Sequence, residues 1–242
     1  MGAEENIYEK LKEYLGLRED NINILEESID TDLQMEYFEY SRNKSGKKTE
    51  EEIMRNKDII FDNALSVASK KSALVELASI NSIEAYRTIE RYLNQPDIKL
   101  YDWACLALQE SRLHLETHLL NENKVLITTG LGGKGLKLRY FIVLFTKNGI
   151  ELTAFQKEVI EKELKYELCR QGAELEDIIF DDCFASVLAI IPLKVHFQKL
   201  FRNVIFECNQ IGGFLFNDFI ITNVKALSKD EIQELLQMHN IY

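Results

Sequence analysis

Residues 122–146 read ENKVLITTGLGGKGLKLRYFIVLFT, and the spacing of apolar residues changes within this stretch. Upstream of it, apolar residues recur at helical spacing, as they do along one face of an amphipathic helix. Within it they form two short β-branched and aromatic runs, residues 124–129 and 139–146, joined by the glycine-rich residues 130–135. This pattern predicts a β-hairpin, and with it a change from helices to a sheet.

The first half of the chain carries the sequence signals of helix ends. Thr49 and Glu52 have the spacing of a capping box, which predicts a helix that extends to about residue 70. Asn81 repeats this pattern for a second helix, which ends at Pro96 because the proline ring cannot continue the hydrogen-bond ladder. A third helix is expected after the proline.

The second half is predicted to alternate strands with helices. Thr153 marks a helix start and Gly172 its end, and from Arg139 onward the predicted order is β-α-β-β-α-β. This order is similar to that of ferredoxin-like domains, with one extra strand before it and one extra helix after it. We therefore expect an α+β protein with an all-helical region over residues 1–121 and a ferredoxin-like α+β domain over residues 122–242.

Two helical segments share a pattern of small and apolar residues. Residues 73–80, ALVELASI, align with residues 104–111, ACLALQES, at an offset of 31 positions, and a helix and a Pro-Asp turn lie between them. Residues 71–114 therefore resemble HEAT-like helical repeats, which implies a stack of helices that offers a protein-binding surface. Residues 41–48, SRNKSGKK, depart from the repeat pattern, and a compact antiparallel bundle is the alternative.

The charge distribution is uneven. The formal net charge is −11, which argues against a surface that is basic overall. Between Glu122 and Glu151 no acidic residue occurs, whereas five basic residues do. The glycine-rich loop in this stretch is a candidate contact for phosphate or nucleic acid, because backbone N–H groups and cations can approach an anion there. The candidate residues are Gly132, Gly133, Lys134, Gly135, Lys137 and Arg139.

Other interpretations of this loop stay open. It is not a P-loop, because no Gly-Lys-Ser/Thr sequence occurs and a strand rather than a helix follows it. The glycines can simply supply positive φ angles while the lysines keep a sheet edge soluble. Docking onto an acidic protein surface is a third possibility.

Two further sets of side chains have the residue types of a metal site or of a catalytic pair. Glu110, His114 and His118 are spaced four residues apart on one predicted helix, so they are candidate metal ligands, although HLETH is not an H-E-x-x-H motif. Cys183 and His196 have the residue types of a nucleophile and a base, but nothing in the sequence brings them together. We therefore predict no cofactor and favour a non-catalytic protein.

The sequence also bears on location. The N-terminal MGAEENIYEKLKEYLG lacks the features of a secretory signal, and no apolar run approaches the length of about 20 residues that spans a bilayer. The four cysteines have no regular spacing, which is typical of reduced thiols. We expect a cytoplasmic protein.

These observations lead to two functional hypotheses. The first is a non-catalytic interaction or regulatory protein that uses the helical-repeat surface and the α+β domain to bind a protein partner, with a homo-oligomer as a further possibility. The alternative is a protein that associates with RNA or the ribosome, or binds a phosphorylated ligand, through residues 130–139.

Overall fold

The structure, a computed structural model, describes residues 18–44, 46 and 48–238. These form two compact units, Asp20–Ile127 and the described parts of residues 1–19 and 128–242. The N-terminal segment MGAEENIYEKLKEYLG lies outside the described residues. Among the described residues, every helix is too short or too polar to cross a membrane.

The first unit, Asp20–Ile127, is mostly helical. Strands β1 and β2 at its two ends pair in parallel, with Ile22 opposite Val125 and Ile24 opposite Ile127, so the beginning and the end of the unit lie side by side. Its elements are β1 Ile22–Ile24, α1 Thr31–Lys44, α2 Glu50–Arg55, α3 Val67–Ala78, α4 Ile83–Leu93, α5 Tyr101–Leu120 and β2 Val125–Ile127, with 3₁₀ turns at Lys57–Phe61 and Ile98–Leu100.

Helix α5 is the centre of this unit, since α1, α3 and α4 all pack against it. Trp103 on α5 is 1% exposed, and the ring of Tyr37 on α1 meets it edge-on at 5.0 Å between centroids. The segments with matching sequence patterns, residues 73–80 and 104–111, lie on α3 and α5, and both contribute to this one core. Their similarity therefore reflects a shared buried environment.

The predicted long helix after Thr49 is interrupted. The capping box at Thr49 and Glu52 is confirmed, but α2 ends at Arg55, and a 3₁₀ turn follows. A separate helix then begins with Ser66 as its N-cap, whose hydroxyl accepts from the backbone N–H of Ser69. Similarly, the cap of α4 is Ser82 rather than the predicted Asn81. Several Asn, Asp and Ser residues compete for backbone hydrogen bonds in these stretches, so the pattern alone does not select the cap.

The second unit contains an antiparallel sheet, and the α+β fold class is confirmed. The strands run β7-β4-β6-β5, and β3 pairs with the start of β4. The elements are β3 Gly133–Lys134, β4 Lys137–Thr146, α6 Ala154–Arg170, β5 Glu174–Phe180, β6 Phe184–Pro192, α7 Phe197–Gln210, β7 Leu215–Thr222 and α8 Lys229–Met238.

Both faces of this sheet are covered over part of their area. Ile142 and Leu144 of β4 pack on one face with α6 and α7, whereas Phe141, Val143 and Phe145 pack on the other with α8. This follows from the two-residue alternation of a strand, which sends successive side chains to opposite faces. At the end of the sheet where β4 begins, the turn residues Lys134, Gly135 and Leu136 are exposed to solvent.

The predicted hairpin forms with a different first strand. Residues 125–127 pair with β1 within the first unit, and not with β4 as expected. The partner of β4 is the two-residue strand β3, with Gly133 opposite Leu138 and Lys134 opposite Lys137. The sequence indicated strand propensity correctly, but propensity carries no information on which distant strand is the partner.

Candidate functional site

The glycine-rich segment forms a tight hairpin at the open end of the sheet. Gly132 and Gly135 adopt φ angles of 69° and 59°, the left-handed region that the turn requires. The backbone N–H of Leu131 donates to the carbonyl oxygen of Asn223 at 3.0 Å, which ties the segment to the residues after β7. The loop is therefore held by the backbone on two sides.

The predicted cations of this hairpin lie opposite carboxylates on β5. Lys137 Nζ is 2.7 Å and Lys134 Nζ 3.5 Å from oxygens of Glu174. Arg139 donates from Nε and Nη2 to the two oxygens of Glu176 at 2.5 and 3.0 Å, and its Nη1 donates to the carbonyl oxygen of Leu131 at 2.7 Å. Arg139 is therefore a fixed structural clamp, whereas the two lysines share one carboxylate.

The two lysines favour the ionised form of the carboxylate that they share. The hydrogen bond from Lys137, and then the charge of Lys134, hold the pKa of Glu174 below its ordinary value. A carboxyl with a lowered pKa in the folded state contributes stability above its unfolded pKa, and that contribution disappears as pH falls through the folded value. At neutral pH the pair of lysines therefore faces one ionised carboxylate.

A groove of about 340 Å³ opens beside this hairpin. Its apolar floor consists of Leu136, Pro192 and Leu193, where the N–H of Leu193 donates to the carbonyl oxygen of Leu136 at 3.2 Å. Lys137 and Lys194 line it, and Lys194 is exposed and makes no ion pair with any residue that the structure describes. The groove thus combines an apolar floor with cations at its rim.

The sequence predicted only part of this groove. Lys137 was among the candidates, whereas Gln171 and Gly172 from the α6–β5 turn and residues 192–194 from the β6–α7 turn were not. These turns meet the hairpin because β4, β5 and β6 are neighbours in the sheet. The proline and lysine after a long apolar strand were the available signal, since they mark a strand end near the chain surface.

The predicted metal ligands do not come together. Glu110 accepts hydrogen bonds from the hydroxyls of Tyr37 and Ser41, both at 2.5 Å, so both of its oxygens are engaged inside the helical unit. His114 and His118 line a surface depression to which Glu110 does not contribute. Within the part of the chain that the structure describes, no three His, Cys, Asp or Glu side chains form a possible metal cluster.

The cysteines are free and differ in exposure. Burial raises the pKa of Cys105 and of Cys208 to about 12, which disfavours the reactive thiolate, whereas Cys169 is exposed. Cys183 is partly buried, and the neighbouring Asp181 is paired with Lys229 at 2.8 Å.

This arrangement predicts selective thiol labelling. In the folded protein at pH 8, we expect iodoacetamide to modify Cys169 at least about tenfold faster than Cys105 or Cys208, because the thiolate is the nucleophile. Peptide mass spectrometry over a time course measures the rates, and labelling in denaturant is the control that equalises them. Equal rates for Cys169 and Cys208 in the folded protein would contradict the burial described above.

Among the solved structures that resemble this chain are two whose likeness is weak. No protein-family model and no curated protein matches the sequence. A crystal structure of a Deinococcus radiodurans R1 protein with a provisional transposase assignment is 17% identical, with a TM-score of 0.35, and covers 46% of this chain and 96% of its own. A REP-associated tyrosine transposase bound to a REP hairpin is 10% identical, with a TM-score of 0.32, and covers 43% of this chain and 69% of its own.

These findings correct the sequence-based interpretation. Residues 71–114 are not a stack of HEAT-like repeats, and the non-catalytic regulatory role inferred from that resemblance is withdrawn with it. The physical reason is that residues 73–80 and 104–111 belong to one core around Trp103. Of the cations predicted to contact phosphate or nucleic acid in residues 130–139, Arg139 is held by Glu176, whereas Lys134 and Lys137 lie at the exposed Glu174.

Proposed function

We propose that this protein binds a single strand of nucleic acid through the groove beside the β3–β4 hairpin. The observation that carries the proposal is the exposed Lys194, which has no ion pair among the described residues, at the rim of a groove whose floor is apolar. Lysines contact backbone phosphates, and an apolar floor accepts the face of a base or a sugar. A free phosphate ion has no apolar surface to bury against that floor, so the floor favours a ligand that carries bases or sugars.

The charges at this end of the sheet favour a polyanion. Two lysines share Glu174, and the contact of Lys134 is the longer of the two at 3.5 Å. Because this ion pair is exposed, a phosphate can replace Glu174 as the partner of Lys134 without breaking a buried pair. Lys194 adds a cation that forms no ion pair with any described residue. Glu19 also lines the groove and limits its positive potential, so we expect modest affinity that depends strongly on salt.

The test is fluorescence anisotropy with a labelled single-stranded DNA 20-mer. If three lysines each contact a phosphate, affinity falls roughly 20-fold between 50 and 200 mM salt. Lys134→Glu combined with Lys194→Glu is expected to weaken binding at least about tenfold and to flatten the salt dependence. An RNA strand of the same sequence shows whether the sugar contributes.

The matched control is Lys162→Glu, which makes the same charge change on an exposed part of α6, where the lysine pairs with Glu158. It is expected to retain binding. Equal loss from the control and from the groove variants would mean that net charge alone determines binding, and the groove would not be the site. Saturation with inorganic phosphate alone at equal affinity would also exclude a strand-binding groove.

We also propose a ferredoxin-like arrangement for the second unit. Its support is the strand order β7-β4-β6-β5, all antiparallel, with α6 connecting β4 to β5 and α7 connecting β6 to β7. The domain boundary at residues 121/122 stays a prediction, as does the cytoplasmic location, which the free cysteines favour.

A further inference from the structure

A second cavity lies wholly within the helical unit and is independent of the proposed nucleic-acid groove. It encloses about 390 Å³ between the 3₁₀ turn Lys57–Phe61, the end of α4 and the residues that precede α5. This volume falls within the range of about 300–1,000 Å³ typical of small-molecule sites.

A buried lysine lines this cavity. The side chain of Lys70 is 4% exposed, and its Nζ lies 2.7 Å from Oδ2 of Asp97. The hydroxyl of Tyr92 donates to the same oxygen at 3.1 Å. Hydrogen bonds from Lys70 and Tyr92 keep the pKa of Asp97 below its ordinary value, so its carboxylate is ionised.

The other oxygen of this carboxylate is available. Asp97 is 43% exposed, and its Oδ1 has no hydrogen-bond partner among the residues that the structure describes. An ionised carboxylate oxygen accepts but cannot donate, so a ligand that reaches it must supply N–H or O–H donors. The part of a ligand that faces Asp97 must therefore carry these N–H or O–H donors.

The rim of the cavity is rich in side-chain amides. Asn63, Asn94 and Gln95 line it, and their side chains make no hydrogen bond with any described residue. Each amide offers both donors and an acceptor. The rim can therefore match a ligand edge on which donors and acceptors alternate.

Each of the two basic side chains that line the cavity is paired with an aspartate. Lys70 is paired with Asp97, and Arg91 is paired with Asp58 at 2.6 Å. A cationic ligand would meet both basic groups, and an anionic one would meet the carboxylate. The guanidinium of Arg91 also lies 4.7 Å from the centre of the partly exposed Phe61 ring. Aromatic rings and guanidinium groups are the side chains on which bases stack.

We propose that this cavity binds a neutral nucleobase with N–H donors on adjacent atoms, and guanine is the base with that edge. Its ring N–H and amino group face Asp97 Oδ1, and its carbonyl and ring-nitrogen acceptors face the amides of the rim. Adenine and cytosine each present an amino donor beside a ring acceptor, so they match the carboxylate less well.

Isothermal titration of the full chain with guanosine tests the proposal. Guanosine is expected to bind saturably, and inosine, which lacks the amino group, at least about fivefold more weakly. Adenosine and cytidine are expected to bind at least about tenfold more weakly. No saturable binding of guanosine to the folded protein, or equal binding of all four nucleosides, would overturn the proposal.

The variants separate binding from folding. Asp97→Asn removes the anionic acceptor and should abolish guanosine binding, but it also leaves Lys70 without its buried partner. Asn94→Ala with Gln95→Ala changes only exposed side chains, so the fold is expected to persist while affinity falls at least about fivefold. Gln237→Ala, an exposed amide on α8, is the matched control. Unchanged guanosine affinity in the Asn94/Gln95 variant would show that the cavity is not the site.

Discussion

Replacing Gly130 by alanine is expected to destabilise the protein by about 3 kcal/mol or more, because no space exists for a methyl group. A Cβ at this position would lie 1.8 Å from the carbonyl oxygen of Val224 and 2.7 Å from its carbonyl carbon. Both atoms belong to the backbone, so no side-chain rotation relieves the contact. Accommodation requires the two segments to separate, which also removes the hydrogen bond from Leu131 to Asn223.

Chemical denaturation followed by circular dichroism measures the loss in the free energy of unfolding. Gly135→Ala is the matched control, because it lies in the same hairpin with φ at 59° but has open space around its Cβ position. Its expected cost is only about 1 kcal/mol, from backbone strain alone. A Gly130 variant no less stable than the Gly135 variant would show that the hairpin does not pack on the residues after β7.

Local signals in the sequence predicted local structure well. The capping box at Thr153 and Gln156 is present with both reciprocal hydrogen bonds, and Gly172 has φ at 68° just after α6. Ser228 and Glu231 cap α8 through the same kind of short-range hydrogen bonds. These features depend on residues within one helical turn of each other, so a single sequence contains all the information they need.

Pairing between distant segments was not predictable in the same way. Strand β2 pairs with β1, about a hundred residues earlier in the chain, and the three-residue β1 has too few positions to show a strand pattern. Nothing in the composition of residues 125–127 distinguishes this partner from β4. The hairpin was therefore predicted with the right second strand and the wrong first strand.

In the candidate site, too, the local signals were visible in the sequence and the distant partners were not. The cations at Lys134, Lys137 and Arg139 were visible as a run without acidic residues, but their partners lie on β5, 37 residues further along for two of the pairs. A register shift between Leu175 and Asp177 leaves one extra residue there, Glu176, and its carboxylate meets Arg139. A bulge of this kind follows from the packing of the sheet, and the alternation of residues does not reveal it.

Replacing Trp103 by alanine is expected to destabilise the helical unit by about 3–5 kcal/mol, because it empties the centre of the core. The indole is 1% exposed, and its Nε1 donates to the carbonyl oxygen of Lys71 at 3.2 Å. The Nζ of Lys71 also lies 3.9 Å from the ring centre. The variant therefore loses a large apolar contact, a hydrogen bond and a cation–π contact at once.

Trp103→Phe is the control that separates these contributions. It keeps an aromatic ring between Tyr37 and Tyr40 but removes the N–H donor, so the expected cost is about 1–2 kcal/mol. Because Trp103 is the only tryptophan, its fluorescence in the wild-type protein reports unfolding of the unit Asp20–Ile127, and circular dichroism compares the variants. If the alanine variant unfolds at the same denaturant concentration as the wild type, α5 cannot be the helix around which α1, α3 and α4 assemble.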